Sequence, residues 1–388
     1  MRVCGKECET GSVVTVTVEG GRIVRVESGP CEAALGGPEV WLSPAFCDLQ
    51  LNGYAGHDFN REAWIDASIR SNDLSALVGI AARTGTALFC PTISTDSPAN
   101  MLQSLRELAR AADADARLGR AVVGVHLEGP YISAEEGPVG AHPPQHVRPP
   151  DWEEFQRHQE ASGGRVRICT LAPEATGALP FIEKLTETGV VAAIGHTGAT
   201  PETIRDAVHA GARMSTHLGN GAHSMIRRHP NYIWEQLAHD DLDASIIADG
   251  HHLPGSVIKC FARVKGPDRL ALVSDAVSLG GLPPGTYCRG QYEVLPTGKI
   301  VLAGTPYLAG AGHLLDTCIA NAARYVGLTL AQATRCATLT PARILNLDGR
   351  KGQLRVGCDA DLTLFRLPAE GPLDIVATVC GGEVVYRA

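Results

Sequence analysis

The chain has 388 residues, 44% of them apolar and 20% charged, an ordinary globular composition that excludes a disordered chain and a disulfide-stapled miniprotein. This length exceeds what one hydrophobic core usually supports, so a large domain with a smaller companion is expected. With 34 Lys and Arg against 42 Asp and Glu, the formal charge of -8 argues against nucleic acid or an anionic membrane as partner, and any anionic substrate must meet a local basic cluster.

The opening residues, MRVCGKECETGSVV, lack a long apolar stretch, and no window of about 18 uncharged apolar residues occurs anywhere. Neither a signal peptide nor a transmembrane helix is indicated, so a cytoplasmic location is expected. Twelve cysteines are spread singly, without a CxxC pair, and read mostly as small buried hydrophobes. The 43 glycines cluster just after short apolar runs, where an α/β fold turns from strand to helix.

Residues 12–28 alternate apolar with polar around Gly20-Gly21, which predicts a hairpin. From Pro44 onward come eight short apolar runs of buried-strand type, at 45–51, 86–92, 121–127, 166–172, 190–196, 213–218, 244–249 and 270–275. Helical periodicity separates them, as at 67–85, 101–116, 203–212 and 231–240. Eight strands alternating with helices predict a (β/α)8 barrel of the TIM type, an open doubly wound sheet being the main competitor. β patterning returns at 285–304, 353–367 and 374–388, with helices expected near 308–325 and 329–345. The expected division is a barrel of residues 44–284 and 304–348 beside a small β-sandwich of 1–43, 285–303 and 349–388, since no end segment could bury a core alone.

Glu128, His196, His217 and Asp275 end the third, fifth, sixth and eighth of these strands. In a (β/α)8 barrel such ends converge on one mouth, where active sites of this fold lie. One Glu and two His form a three-ligand set suited to a catalytic zinc or similar divalent ion, with a position left for water. Such an ion acidifies bound water and polarises a carbonyl, which makes hydrolysis the natural reaction class, with Asp275 as general base. A strand-end His taken singly is more often structural, but four such residues at four strand ends point to metal chemistry. The first strand offers Gln50 and Asn52 where a His-x-His pair would serve a second ion, and neutral amides are poor zinc ligands. One metal, with Gln50 and Asn52 in supporting roles, is one reading; amides that merely bond neighbouring strand ends is the other.

The motifs DLQLNG (48–53), HLEGPY (126–131), GAHPP (140–144), IGHT (194–197), STHLGN (215–220), IADGHH (247–252), SDA (274–276) and LAGTP (302–306) follow in order. From about Pro44 to the C-terminus the chain resembles the N-acetylglucosamine-6-phosphate deacetylase family of the amidohydrolase superfamily. The resemblance implies a barrel with a β-sandwich, one divalent metal on Glu128, His196 and His217, and Asp275 as base and then acid. Single-metal members of the family share the Gln-x-Asn of the first strand.

By the same resemblance His142 orients and polarises the amide carbonyl, and Asn220, Gly221 and His252 line the sugar phosphate, with Ala141 and Thr305 from matching motifs. Arg228 matches an arginine that the neighbouring subunit of a homodimer supplies to the phosphate. The family's usual THLYNAM run stands here as Thr216 to Ala222, with Gly219, Gly221 and Ala222 in place of its Tyr, Ala and Met, followed by His223, and Arg227 sits beside Arg228. Surface roles are expected for His223, His229 and His251.

The expected reaction is removal of the N-acetyl group from N-acetylglucosamine 6-phosphate, giving acetate and glucosamine 6-phosphate. Zinc, iron, cobalt and manganese all accept a Glu-His-His site. The altered loop after His217 keeps open a deacylase for a related N-acetylated amino sugar or another non-phosphorylated amide. A barrel retained only for binding is the remaining alternative, and the intact set of four polar residues stands against it.

Overall fold

The computed structural model describes residues 1–30, 32, 34–60 and 73–388. Eight parallel strands form the barrel: Phe46–Leu51, Thr86–Ser94, Val125–Glu128, Val166–Leu171, Val191–Ile194, Met214–Ser215, Asp243–Ile247 and Leu270–Val273, taken here as barrel strands one to eight. Strands one and eight meet through main-chain bonds, Asp275 N–H to Gln50 O and Asn52 N–H to Ala276 O, each 2.9 Å. The sheet therefore closes at its upper rim, as the alternating pattern predicted.

The crossover helices start where local chemistry directs. Ser97 caps Pro98–Ala114 by accepting from Asn100 N–H, Asp151 caps Trp152–Ala161 through Glu154 N–H, and Thr200 caps Pro201–His209 through Thr203 N–H. Along the first of these, Met101, Leu105, Leu108 and Ala112 recur at helical spacing and are buried against the sheet. Of the expected helix at 67–85, Ala76–Ala82 is helical and 67–72 lie outside the described residues. The expected helix at 329–345 is two, Leu330–Arg335 and Leu339–Ile344, broken at Thr338. Only Leu315–Asn321 and the turn after it are helical within 308–325, because 308–314 crosses the barrel mouth instead.

Both chain ends build one seven-stranded sheet, in the order Glu383–Arg387, Asp374–Cys380, Leu362–Arg366, Leu35–Pro44, Arg2–Glu7, Val13–Glu19 and Arg22–Ser28. It bends back on itself: Ala360 N–H donates to Gly21 O at the hairpin turn, and Val3, Val16, Leu42, Leu362 and Val379 share one buried cluster. Segment 285–303, expected in that unit, departs from the expectation. Its strands Gly285–Tyr287, Tyr292–Val294 and Ile300–Leu302 form a sheet of their own, with Val301 also bridging to Leu308, and Val294 and Ile300 pack on Val277, Leu279 and Ala309 beside the barrel mouth. Hairpin alternation is satisfied by either location, and the apolar residues flanking Ser278 supply the cover.

Among the described residues no helix is long and apolar enough to cross a membrane. Among the described cysteines, nine are buried free thiols, Cys260 is an exposed free thiol and Cys288 is half-buried.

Candidate active site

Glu128, His196 and His217 meet at the mouth. His217 Nε2 lies 2.8 Å and His196 Nε2 3.2 Å from Glu128 Oε1, with the two nitrogens 3.0 Å apart. All three side chains are buried. His196, His217 and Asp275 have φ of 51°, 29° and 52°, a left-handed conformation that side chains resist, just where the strands end. The sixth expected strand, 213–218, is cut to Met214–Ser215 for this reason: the chain turns to aim His217 inward. Strain of this kind gathers at functional sites.

The donor set suits a divalent cation. Pro138 O lies 2.7 Å from His196 Nδ1; a carbonyl only accepts, so Nδ1 carries the proton and Nε2 is bare. That bare nitrogen faces a carboxylate oxygen and a second imidazole nitrogen, an arrangement that only a shared proton or cation makes favourable. Burial works to raise the Glu128 carboxyl, but its close contacts with the His196 and His217 rings prevail and hold it well below the usual range. The site is thus a divalent-metal site by its chemistry, and Glu128, His196 and His217 are the residues able to hold the ion.

The two amides of strand one occupy the space where a second pair of ligands would stand. Gln50 Nε2 donates to Glu128 Oε1 at 2.7 Å, while Asn52 Nδ2 donates to Asp275 Oδ1 at 2.8 Å. Ser94, which sequence reasoning missed, donates its hydroxyl to Asn52 Oδ1 at 2.9 Å and so sets which way the Asn52 amide points. Burial, and then the negative charge of Glu128, push the Asp275 carboxyl well above its ordinary value. A bound cation works in the opposite direction.

Below lies a buried polar floor. His126 bonds Leu49 O and Thr170 Oγ1 through its two ring nitrogens, and Asp48 accepts from the N–H groups of Gln50 and Ser274. Burial brings His126 down to about 4 and Asp48 up to about 6. His126 was legible only as a residue two positions before Glu128, hence on the same face of strand three.

Above the triad is a cavity of about 200 Å³, lined among others by Ala141, His142, Asn220, Gly221, His252 and Asp275. His142 stacks edge-on against His196, with ring centroids 4.4 Å apart, and burial above all lowers its pKa to about 3. His252 Nδ1 lies 2.8 Å from Asp249 Oδ2. Two expected residues stand apart from this cavity. Arg228 is exposed in the loop after Gly221, and Thr305 is exposed in a turn where its hydroxyl bonds Leu302 O; Leu308 and Gly310 line the cavity in its place. Of the three histidines expected at the surface, His229 is exposed while His223 and His251 are half-buried, His251 stacked on His313. A larger cleft of about 780 Å³ lies toward the strand starts, where Arg120, Arg350 and Lys351 are paired with Glu383, Asp359 and Asp361.

The model of the amidohydrolase family matches residues 41–385. N-acetylglucosamine-6-phosphate deacetylase from Bos taurus is 35% identical over 359 residues, 89% of this chain and 83% of the relative. N-acetylgalactosamine-6-phosphate deacetylase from Escherichia coli O157:H7 is 32% identical over 317 residues, 81% of each chain. The solved structure of a mutant N-acetyl-D-glucosamine-6-phosphate deacetylase from Mycobacterium smegmatis, in complex with N-acetyl-D-glucosamine-6-phosphate, superposes with a TM-score of 0.85 at 30% identity, covering 99% of each chain. A parallel barrel, a Glu-His-His metal site at its mouth and these matches agree: the chain belongs to the amidohydrolase family, among the N-acetylglucosamine-6-phosphate deacetylases, and is a metal-dependent amide hydrolase.

Proposed function

We propose that the chain hydrolyses the acetamide of N-acetylglucosamine 6-phosphate to glucosamine 6-phosphate and acetate. The observation that carries the reading is the meeting of Asp275 with the Glu128, His196 and His217 cluster at one cavity. A divalent ion on those three residues, zinc in this reading, supplies the positive charge that acidifies water and polarises the amide carbonyl. Asp275 accepts the proton of the attacking water and returns it to the departing nitrogen as the C–N bond breaks. Asn52 holds one Asp275 oxygen, leaving the other for this transfer. His142, kept neutral by burial, acts on the carbonyl oxygen as a hydrogen-bond donor.

Asn220, Gly221, Ala141 and His252 receive the sugar and its phosphate. Among the described residues no Lys or Arg lines the cavity, so a dianionic phosphate needs a cation from elsewhere. Arg228 of a second subunit is the proposed source. Exposed Met225 and Ile226 in the same loop support a homodimer contact there. In this reading the barrel of 44–284 and 304–348 is the catalytic unit, the sheet of 1–43 and 349–388 its companion, and the cytoplasm its location, in keeping with free thiols.

The lack of a cavity cation also favours a second reading, a non-phosphorylated amide. Acetate release from N-acetylglucosamine 6-phosphate, its galactosamine epimer and the unphosphorylated sugars decides between them. Preference for the phosphorylated glucosamine is expected; equal or better turnover without phosphate would establish the second reading.

A further inference from the structure

Two loops wall the cavity. Residues 133–142 carry Pro138, Ala141 and His142; residues 219–223 carry Asn220 and Gly221. One side chain ties them together. The His223 ring has Nε2 3.0 Å from Glu135 Oε2 of the first loop and Nδ1 3.0 Å from the hydroxyl of Tyr232, in the helix that follows the second. A carboxylate only accepts, so Nε2 bears the proton, and Nδ1 of the neutral ring accepts from the Tyr232 hydroxyl. The same hydroxyl oxygen accepts the His223 backbone N–H at 2.9 Å, which fixes main chain and side chain together.

The backbone around the ring is built to admit it. A Cβ at Gly137 would lie 2.8 Å from His223 Cα, and one at Gly198 would lie 2.9 Å from His223 Cε1 and 3.1 Å from Glu135 Oε2. Gly198 is itself held by Glu174, which accepts its N–H at 2.7 Å and the Thr197 hydroxyl at 2.5 Å. The ring therefore rests on a fixed floor formed by the residues that follow His196. Both tethered loops also touch His196: Pro138 accepts from its Nδ1, and a Cβ at Gly221 would stand 2.7 Å from that atom.

We propose that His223 is a positioning residue, its latch through Glu135 and Tyr232 setting the separation of the two loops and so the fit of a sugar between His142 and Asn220. The kinetic part of the inference rests on the deacetylase reading. Glu135→Ala removes the acceptor at an exposed position, His223→Phe keeps a ring without its bonds, and Glu135→Gln retains an acceptor oxygen. Each of the first two is expected to raise KM for N-acetylglucosamine 6-phosphate about fivefold, with kcat within about twofold, the loss of one modest hydrogen bond. The double variant should be no worse than either single, and Glu135→Gln should stay near the parent. Unchanged KM in both singles, or losses that multiply in the double variant, would overturn the latch. Hydrogen exchange of the same proteins without substrate separates this outcome from the choice of substrate. Faster exchange in both 133–142 and 219–223 upholds the latch, and faster exchange confined to the substituted loop refutes it. If the parent leaves the sugar phosphate intact, the deacetylase reading fails and the exchange result still decides the latch.

Discussion

Asn52 and Asp275 meet across the seam where the barrel closes: the Asn52 side chain donates to Asp275 Oδ1 at 2.8 Å, and its backbone N–H donates to the carbonyl of the next residue, Ala276, at 2.9 Å. The proposed base is thus held by the same residue that joins the first and last strands.

Asp275→Asn should keep the fold and the metal while lowering kcat by on the order of a hundredfold to ten-thousandfold, since an amide does not take the water proton at neutral pH. Metal content and turnover measured on one preparation check it. Activity within tenfold of the parent would place the base elsewhere.

Gln50→Leu should weaken metal binding about 10- to 100-fold, the usual effect of removing a group that orients a ligand. Its Nε2 donates to Glu128 Oε1 at 2.7 Å, and no other role is required of it. Competition with a chelator, read as metal release, gives the number. One tightly held divalent ion per parent chain is expected in the same experiment, and two at full activity would contradict the single-metal reading.

Arg228→Ala should raise KM for the phosphorylated substrate about 30-fold, the scale of a lost charge-assisted hydrogen bond, with little effect on an unphosphorylated analogue. Arg227→Ala should do much less. Equal losses on both substrates, or a fully active monomer, would remove the phosphate from the proposal.

His158 offers a pH test of stability. It is fully buried in Trp152–Ala161, neither ring nitrogen has a hydrogen-bond partner among the described residues, and burial lowers its pKa to about 4. The unfolded chain therefore binds a proton that the folded one refuses. Its contribution is complete above the ordinary pKa of about 6.5 and is lost as pH falls toward 4, by roughly 3 kcal/mol in all. His158→Leu should narrow the difference in urea midpoint between pH 7 and pH 5, and an unchanged difference would assign the acid sensitivity to other groups.

The gathering of the candidate site residues was legible where they coincided with strand ends. Glu128, His196, His217 and Asp275 each close a short apolar run, and a barrel brings such ends together whatever their separation in sequence. Partnerships made across the mouth left no local signal. Ser94 onto Asn52 and Glu135 onto His223 join residues 42 and 88 positions apart, with no periodicity to announce them. The segment 285–303 was read correctly as antiparallel and given the wrong neighbour, because alternation reports that one face is covered without saying by what. Thr305 shows the limit of motif matching: the run aligns, but the turn at Leu302 carries its side chain away from the cavity.

The shared sheet has a consequence for how the protein is made. Leu35–Pro44 lies between Arg2–Glu7, its early neighbour, and Leu362–Arg366, which leaves the ribosome about 300 residues later. At 5–20 residues per second that interval is roughly 15 to 60 s, during which the edge bearing Val40 and Leu42 has no partner strand. Nascent chains of this protein are therefore predicted to be clients of chaperones that shield apolar edges, and a stall late in translation should release an aggregation-prone product even though the barrel is already complete.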